Sequence, residues 1–248
     1  MNLMPTNRAL DDQIAIVTGA SGGIGSAISL CLATQGANVC LIGRNEQRLK
    51  TTADLCEPFQ RRIETFTCDV SRSEDIHLLC SRVKQQFGRA DILVHCAGAI
   101  AHTKLEDAPP EVLDQLLLTN VRGPMLLTQG FLPLLKRPRG QIVFINSSAV
   151  LSIAPGRGYY TATQHALRAF ADTLRQEVNA DEVRVLSVYP GRTATPRTER
   201  LHEKEGISYQ PDVLLQPKAI AAIVLSALAL DWTAEVTDIT IRSMKKTY

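Results

Sequence analysis

The sequence predicts an α/β protein built on a doubly wound parallel sheet of about seven strands, flanked by helices on both faces. Three observations lead there. Short runs rich in Val and Ile recur along the chain, amphipathic stretches with apolar residues at spacings of three and four separate them, and a glycine-rich turn follows the first run directly. Regular strand–helix alternation implies crossover connections, and these make neighbouring strands parallel and cover both faces of the sheet.

The strands, in order, are QIAIV from Gln13, NVCLI from Asn38, RIETF from Arg62, DILVH from Asp91, QIVFI from Gln141, VRVLSV from Val183 and EVTDIT from Glu235. Helical periodicity covers Ile24 to Gln35, Ser73 to Phe87, Glu111 to Leu135, Tyr160 to Val178 and Lys218 to Leu230. From Pro190 to Pro217 there is no clear period, and an aperiodic stretch that long in a compact domain points to a functional loop or lid. No Pro/Gly/Ser-rich linker and no internal repeat divides the 248 residues, so residues 1–248 read as a single domain.

Composition narrows the function classes. Lys plus Arg number 27 against 25 Asp plus Glu, a net charge of +2 that gives no electrostatic reason to expect nucleic acid. The six cysteines show no C-x-x-C or other metal-ligand spacing, so they read as buried free thiols and no metal is expected. The start MNLMPTNRAL has no apolar core of the signal-peptide kind, and the run Ala219 to Leu230 falls short of the roughly 20 residues that span a bilayer. The expected address is cytoplasmic, with no membrane partner. The basic turn Lys136, Arg137, Arg139 and the tail Lys245, Lys246 read as solvated surface.

TGASGGIG places Gly19, Gly23 and Gly25 between the first strand and the first helix. Glycine lets the backbone turn tightly and approach a pyrophosphate, whose charge then faces the free N–H groups and the positive end of the helix. The context makes this a Rossmann-type dinucleotide site. A carboxylate at the end of the second strand would bind the ribose of NAD. Here LIGRN offers Gly43, which leaves room, and Arg44, an always-charged fork suited to the extra phosphate, so NADP(H) is favoured over NAD(H).

With TGASGGIG, CDV at Cys68, HCAG at His95, Asn120, Ser147–Ser148, YTATQ at Tyr160 and PGRTAT at Pro190, the chain resembles a short-chain dehydrogenase/reductase (SDR) of compact single-domain type over nearly its whole length. The resemblance implies that Gly19, Ser21, Gly23, Ile24 and Gly25 cradle the cofactor. It places Asp69 and Val70 beside the adenine, Ala97 and Gly98 along the cofactor, and Pro190, Gly191 and Thr195 at the nicotinamide end. Ser147 would orient a substrate carbonyl, Tyr160 would exchange the proton, and Asn120 would support a proton-relay water. The chemistry needs such groups, because a carbonyl oxygen gaining negative charge must be held and protonated.

Two departures stand out. His95 and Cys96 replace the family's paired asparagines, which changes strand-end packing more than chemistry; a lone histidine there reads as a core residue. Gln164 stands four residues after Tyr160, where the family carries lysine. Positions i and i+4 share a helix face. The family lysine holds the nicotinamide ribose and lowers the tyrosine pKa, whereas Gln164 can keep hydrogen bonds but supplies no charge. An unassisted tyrosine is only about one part in a thousand ionised at pH 7. The substitution therefore favours carbonyl reduction, in which the neutral phenol is already the acid, over alcohol oxidation. His165 points about 100° away around the helix, and Arg168 lies a further turn along.

The leading reading is an NADPH-dependent oxidoreductase reducing a ketone or aldehyde. An SDR-fold lyase, cyclase or isomerase is the second, and a catalytically impaired NADP(H)-binding protein the third. The substrate would lie against Ile100 to His102, the largely apolar stretch AVLSIAPGRGYY from Ala149, and the 190–217 loop, which suits a mainly hydrophobic carbonyl compound. In that loop Arg192, Arg197, Arg200 and Lys204 are balanced by Glu199, Glu203, Glu205 and Asp212, the pattern of a solvated lid helix. The resemblance implies a homodimer or homotetramer packed through Glu111 to Leu135 and Tyr160 to Val178.

Overall fold

The computed structural model describes residues 9–137 and 139–245. The leader reading of the first eight residues and the surface reading of Lys246 therefore lie outside the described residues. Seven strands, β1 (Ile14–Thr18), β2 (Asn38–Gly43), β3 (Ile63–Thr67), β4 (Ile92–His95), β5 (Gln141–Ile145), β6 (Arg184–Pro190) and β7 (Asp238–Ile241), form one sheet in the order β3-β2-β1-β4-β5-β6-β7. Every pairing is parallel.

Alternation along the strands divides the core in two. Ile14 and Ile16 of β1 face one side, with Phe131, Phe144, Leu167 and Ala171. Ala15 and Val17 face the other, with Ile28, Leu32, Ile220 and Val224. The helices behind these clusters are α1 (Gly23–Thr34), α2 (Glu46–Cys56), α3 (Ser73–Phe87), α4 (Pro110–Leu117), α5 (Gly123–Leu135), α6 (Gly158–Val178), α7 (Pro196–Glu205) and α8 (Pro217–Leu228). The central strands are buried on both faces, as their near-continuous Val/Ile runs require. The edge strand β3 buries only Phe66 fully, and β7 is half exposed.

Two expectations need correction, and one helix falls outside the periodicity of the sequence. The stretch 111–135 is not one helix: α4 and α5 are separated by a π turn at Leu118–Arg122. Pro124 is the reason, because it has no N–H for the Asn120 carbonyl and its ring would collide with that carbonyl in a continuous α-helix. The segment 190–217 is not aperiodic throughout, since α7 occupies its middle, capped by the Thr195 hydroxyl, which accepts from Thr198 N at 3.2 Å. Helix α2 went unread because its charged sequence has a weak apolar stripe; it buries only Leu49, Thr52 and Cys56.

The cysteines are free, as expected, three buried and three half-buried, and burial pushes the Cys40, Cys68 and Cys96 thiols up to about 12. His95 is a core residue. Its ring stacks on Phe144 at 4.7 Å and Nε2 lies 2.9 Å from the Thr128 hydroxyl, while Nδ1 has no partner among the described residues. The basic turn makes surface ion pairs, Lys136 with Asp181 at 2.6 Å and Arg139 with Glu182 at 2.8 Å.

Burial lowers the His95 pKa to about 3. Because the folded value lies below the unfolded one, near 6.5, His95 costs nothing above pH 6.5. Below it the unfolded chain takes up a proton that the folded one refuses, which removes up to about 1.4 kcal/mol of stability per pH unit. Thermal or urea unfolding of wild type and His95→Asn between pH 7.5 and 5 should give a shallower loss for the variant; parallel curves would contradict this.

Candidate active site

The strand order reverses between β1 and β4, so a crevice opens beyond their C-terminal ends. Thr18 holds the two ends together: its hydroxyl accepts from Cys96 N at 3.0 Å and Ala97 N at 3.1 Å and reaches the Val94 carbonyl at 3.2 Å. Gly19 has φ +68°, and a Cβ there would stand 2.8 Å from Ala97 N and the Cys96 carbonyl. At Gly25 a Cβ would lie 2.3 Å from Gly19 O, so glycine is what lets α1 start against the strand end. Helix α1 carries no acidic residue in its first turn and, among the described residues, no side-chain cap, leaving its N–H groups to an anion.

This floor fits a dinucleotide. Above Gly98 the nearest atoms to a Cβ would be Asn120 Oδ1 at 3.5 Å and Arg197 Nη1 at 3.9 Å, and Ser21 Oγ lies 3.1 Å from the Cβ position of Gly43. Ile24 packs partly buried against the α1-side core. Arg44 is 78% exposed and 3.9 Å from Asp69 Oδ2. Asp69 is otherwise engaged by Ser71, whose N–H and hydroxyl donate to Oδ1 at 3.0 and 2.8 Å. Val70 is a core residue whose carbonyl would sit 2.4 Å from a Gly123 Cβ. Arg48 was not anticipated: its guanidinium leans over the glycine turn, 2.8 Å from the Cβ position of Gly22. The available signal was its place one turn after Arg44.

The four expected catalytic residues lie on β5's exit, the π turn and α6. Asn120, buried in the π turn, accepts from Ala99 N at 2.7 Å and donates to Ala99 O at 2.9 Å and Thr163 Oγ1 at 3.1 Å. The Thr163 hydroxyl in turn donates to the Tyr160 carbonyl at 2.8 Å. Ser147 is a cap as well as a candidate: its Oγ accepts from Ala149 N at 3.1 Å, which leaves its O–H proton free to donate. Tyr160 and Gln164 share a face of α6, and Asn146, unread in the sequence, donates to the Gln164 carbonyl at 3.1 Å and so ties α6 to the end of β5. Burial raises the Tyr160 pKa, while Ser147, Arg197 and Arg157 act in the opposite direction. His165 is exposed, and Arg168 is turned toward Asp172 at 3.8 Å and the Tyr189 ring at 5.5 Å.

Beyond β6, Pro190 ends the strand, Gly191 N donates to Ile241 O at 2.8 Å, and Thr195 meets the glycine turn, its Cγ2 standing 3.1 Å from the Cβ position of Gly23. The lid charges are only partly solvated. Arg200, Glu203 and Lys204 are exposed. Glu205 instead pairs with His102 and accepts from Arg192 at 3.0 Å, and Arg192 also donates to His202 Nε2 at 2.9 Å. The His102 ring lies 6.4 Å from that of Tyr160. Burial lowers the His102 pKa, and although burial opposes it, His102 and Arg192 hold the Glu205 carboxyl below the usual range. This network joins residues far apart in sequence, so no local pattern announced it. In the stretch after Ser147, Leu151 and Ile153 are exposed apolar groups.

Among the described residues no cluster of His, Cys, Asp or Glu could hold a metal ion, and no helix is long and apolar enough to cross a membrane. The family model for short chain dehydrogenase matches residues 13–206. An uncharacterized oxidoreductase of Staphylococcus epidermidis is 33% identical over 93% of this chain and 97% of its own length. Among solved structures, an alcohol dehydrogenase from the archaeon Thermococcus sibiricus complexed with 5-hydroxy-NADP superposes with a TM-score of 0.86, at 28% identity over 96% of this chain and all of the other. L-Sorbose reductase from Gluconobacter frateurii complexed with NADPH and L-sorbose gives 0.87, at 25% identity over 96% and 98% of the two chains.

The two-sided Asn120–Ala99 bond makes a prediction. Asn120→Ala strips partners from a part-buried N–H and C=O, so it should cost about 2 kcal/mol and speed amide exchange across residues 97–103. Unchanged exchange there would show that Asn120 does not hold this loop.

Proposed function

The chain belongs to the short-chain dehydrogenase/reductase family, and on that premise we propose that it reduces a ketone or aldehyde to an alcohol with NADPH. One observation carries the reading: Ser147, Tyr160 and Asn120, from three separate segments, converge beside a glycine floor built for a dinucleotide. When bound, NADPH supplies the hydride that the carbonyl carbon accepts. Gly19, Ser21, Gly23, Ile24 and Gly25 would hold its diphosphate half, Arg44 and Arg48 its extra phosphate, Asp69 and Val70 the adenine side, and Ala97, Gly98, Pro190, Gly191 and Thr195 the nicotinamide side. Structural neighbours solved with 5-hydroxy-NADP and NADPH support the cofactor class; Arg44 in place of a carboxylate just past β2, with Arg48 on the first turn of α2, supports the preference over NAD(H).

Ser147 uses its free O–H proton to fix and polarise the carbonyl oxygen. Tyr160 delivers the proton from its neutral phenol. Asn120 keeps the 97–103 loop against α6, and there it would support the water that returns a proton to Tyr160. Gln164 positions ribose hydroxyls without contributing charge. The absent charge favours one second reading, SDR-fold lyase, cyclase or isomerase chemistry that uses the two hydroxyls alone. The same proposal places the protein in the cytoplasm as a homodimer or homotetramer through α4, α5 and α6, supported by the partly exposed Leu117 and Met125.

NADPH oxidation with a panel of ketones and aldehydes, beside NADPH titration, tests the proposal. Wild type should turn over, Tyr160→Phe should lose at least about a hundredfold, and Arg44→Asp should weaken NADPH far more than NADH. NADPH binding without turnover would favour the non-redox reading, and binding of neither cofactor would overturn both. The raised Tyr160 pKa gives a pH signature. Reduction needs the phenol and should hold flat from pH 6 to 9. Oxidation of the product alcohol needs the tyrosinate and should rise about tenfold per unit over pH 7–9. The opposite pattern would rule out Tyr160 as the acid.

A further inference from the structure

Gln164 leaves the Tyr160 face of α6 without a cation, and neither neighbouring basic residue on that helix replaces it. His165 is exposed, and Arg168 is committed to Asp172 and Tyr189. A cation does reach the cleft from the opposite wall. Arg197, on the first turn of α7, is exposed like His165 but is aimed inward: its Nη1 lies 3.9 Å from the position a Gly98 Cβ would take, beside Asn120 Oδ1, which is 3.5 Å from the same point. Among the described residues Arg197 has no ion-pair partner, unlike Arg192 on the same segment, which is held by Glu205. Its backbone is fixed: Thr195 caps α7 and packs against Gly23, so the helix start is wedged between the glycine turn and Gly98.

We propose that Arg197, held beside Gly98 and Asn120, is a positioning residue that supplies from α7 the positive charge that Gln164 does not. This rests on the reading of Tyr160 as the proton-exchanging group. The other groups facing that phenol are Ser147 from the end of β5, Arg157 at the start of α6, and His102 from the loop after β4. Glu205 neutralises His102 and Arg192 as a set, which leaves Arg157 and Arg197 as the cations acting on Tyr160. Arg197 also acts on the Cys96 thiol at the cleft floor, lowering a pKa that burial raises. Family lysine and Arg197 differ in one respect. The lysine lies on the tyrosine's own helix, whereas Arg197 comes from α7, on a separate segment of the chain.

The full chain labelled with [ζ-13C]tyrosine and saturated with NADP+ reads the Tyr160 titration directly by NMR, with Tyr160→Phe assigning the resonance. Arg197→Met should raise the Tyr160 midpoint by about one unit, a tenfold loss of tyrosinate at fixed pH. Arg197→Lys should leave it within a few tenths of wild type, and Gln164→Lys added to Arg197→Met should bring it back down. An unmoved midpoint in Arg197→Met overturns the proposal, including the case in which NADPH binding weakens instead and Arg197 is only a cofactor anchor. Because the titration needs no substrate, a chain that turns over no carbonyl compound refutes the reductase reading and still decides the role of Arg197.

Discussion

The site depends on how closely the end of β1 meets the end of β4. Two glycines without side chains and one threonine hydroxyl set that contact. Gly19 admits the Cys96–Ala97 peptide, Gly25 admits α1, and Thr18 accepts from two successive N–H groups that would otherwise be unpaired at the strand end. A side chain at either glycine would force strand end and helix start apart, and the uncapped N–H groups of α1 would lose their place over the crevice. The candidate catalytic side chains are hung on the same junction, since Ala99, just past it, is gripped by Asn120, and Asn120 is bonded to Thr163 of α6.

Much of this was legible in the residues. Strands β1 to β6 were read to within about two residues because each is a Val/Ile-rich run between turn signals, and buried parallel strands need such runs. The glycine turn was legible because its residue types answer a local steric demand. The break at Asn120 was written in Pro124 and passed over, since the apolar periodicity runs on through it. Helix α2 was hidden by charge. The network of His102, Glu205, Arg192 and His202 was unreadable in principle, because only the docking of α7 beside the loop after β4 brings those residues together.

Charge placement is the chemical theme. A net charge of +2 says little, but its distribution near Tyr160 says more: Gln164 is neutral, Arg168 is turned away, and Arg157 and Arg197 face the phenol. A phenol whose pKa burial raises, and whose own helix face carries no cation, is a better acid than base.

The most direct measurement is isotopic. The protein is incubated with a carbonyl compound and NADPH deuterated at the nicotinamide C4, and the alcohol is analysed by mass spectrometry. One deuterium on the carbinol carbon, lost when Tyr160 is replaced by Phe, is the result predicted for a reductase working without the family lysine. Tight NADPH binding with no deuterium in any product would contradict it.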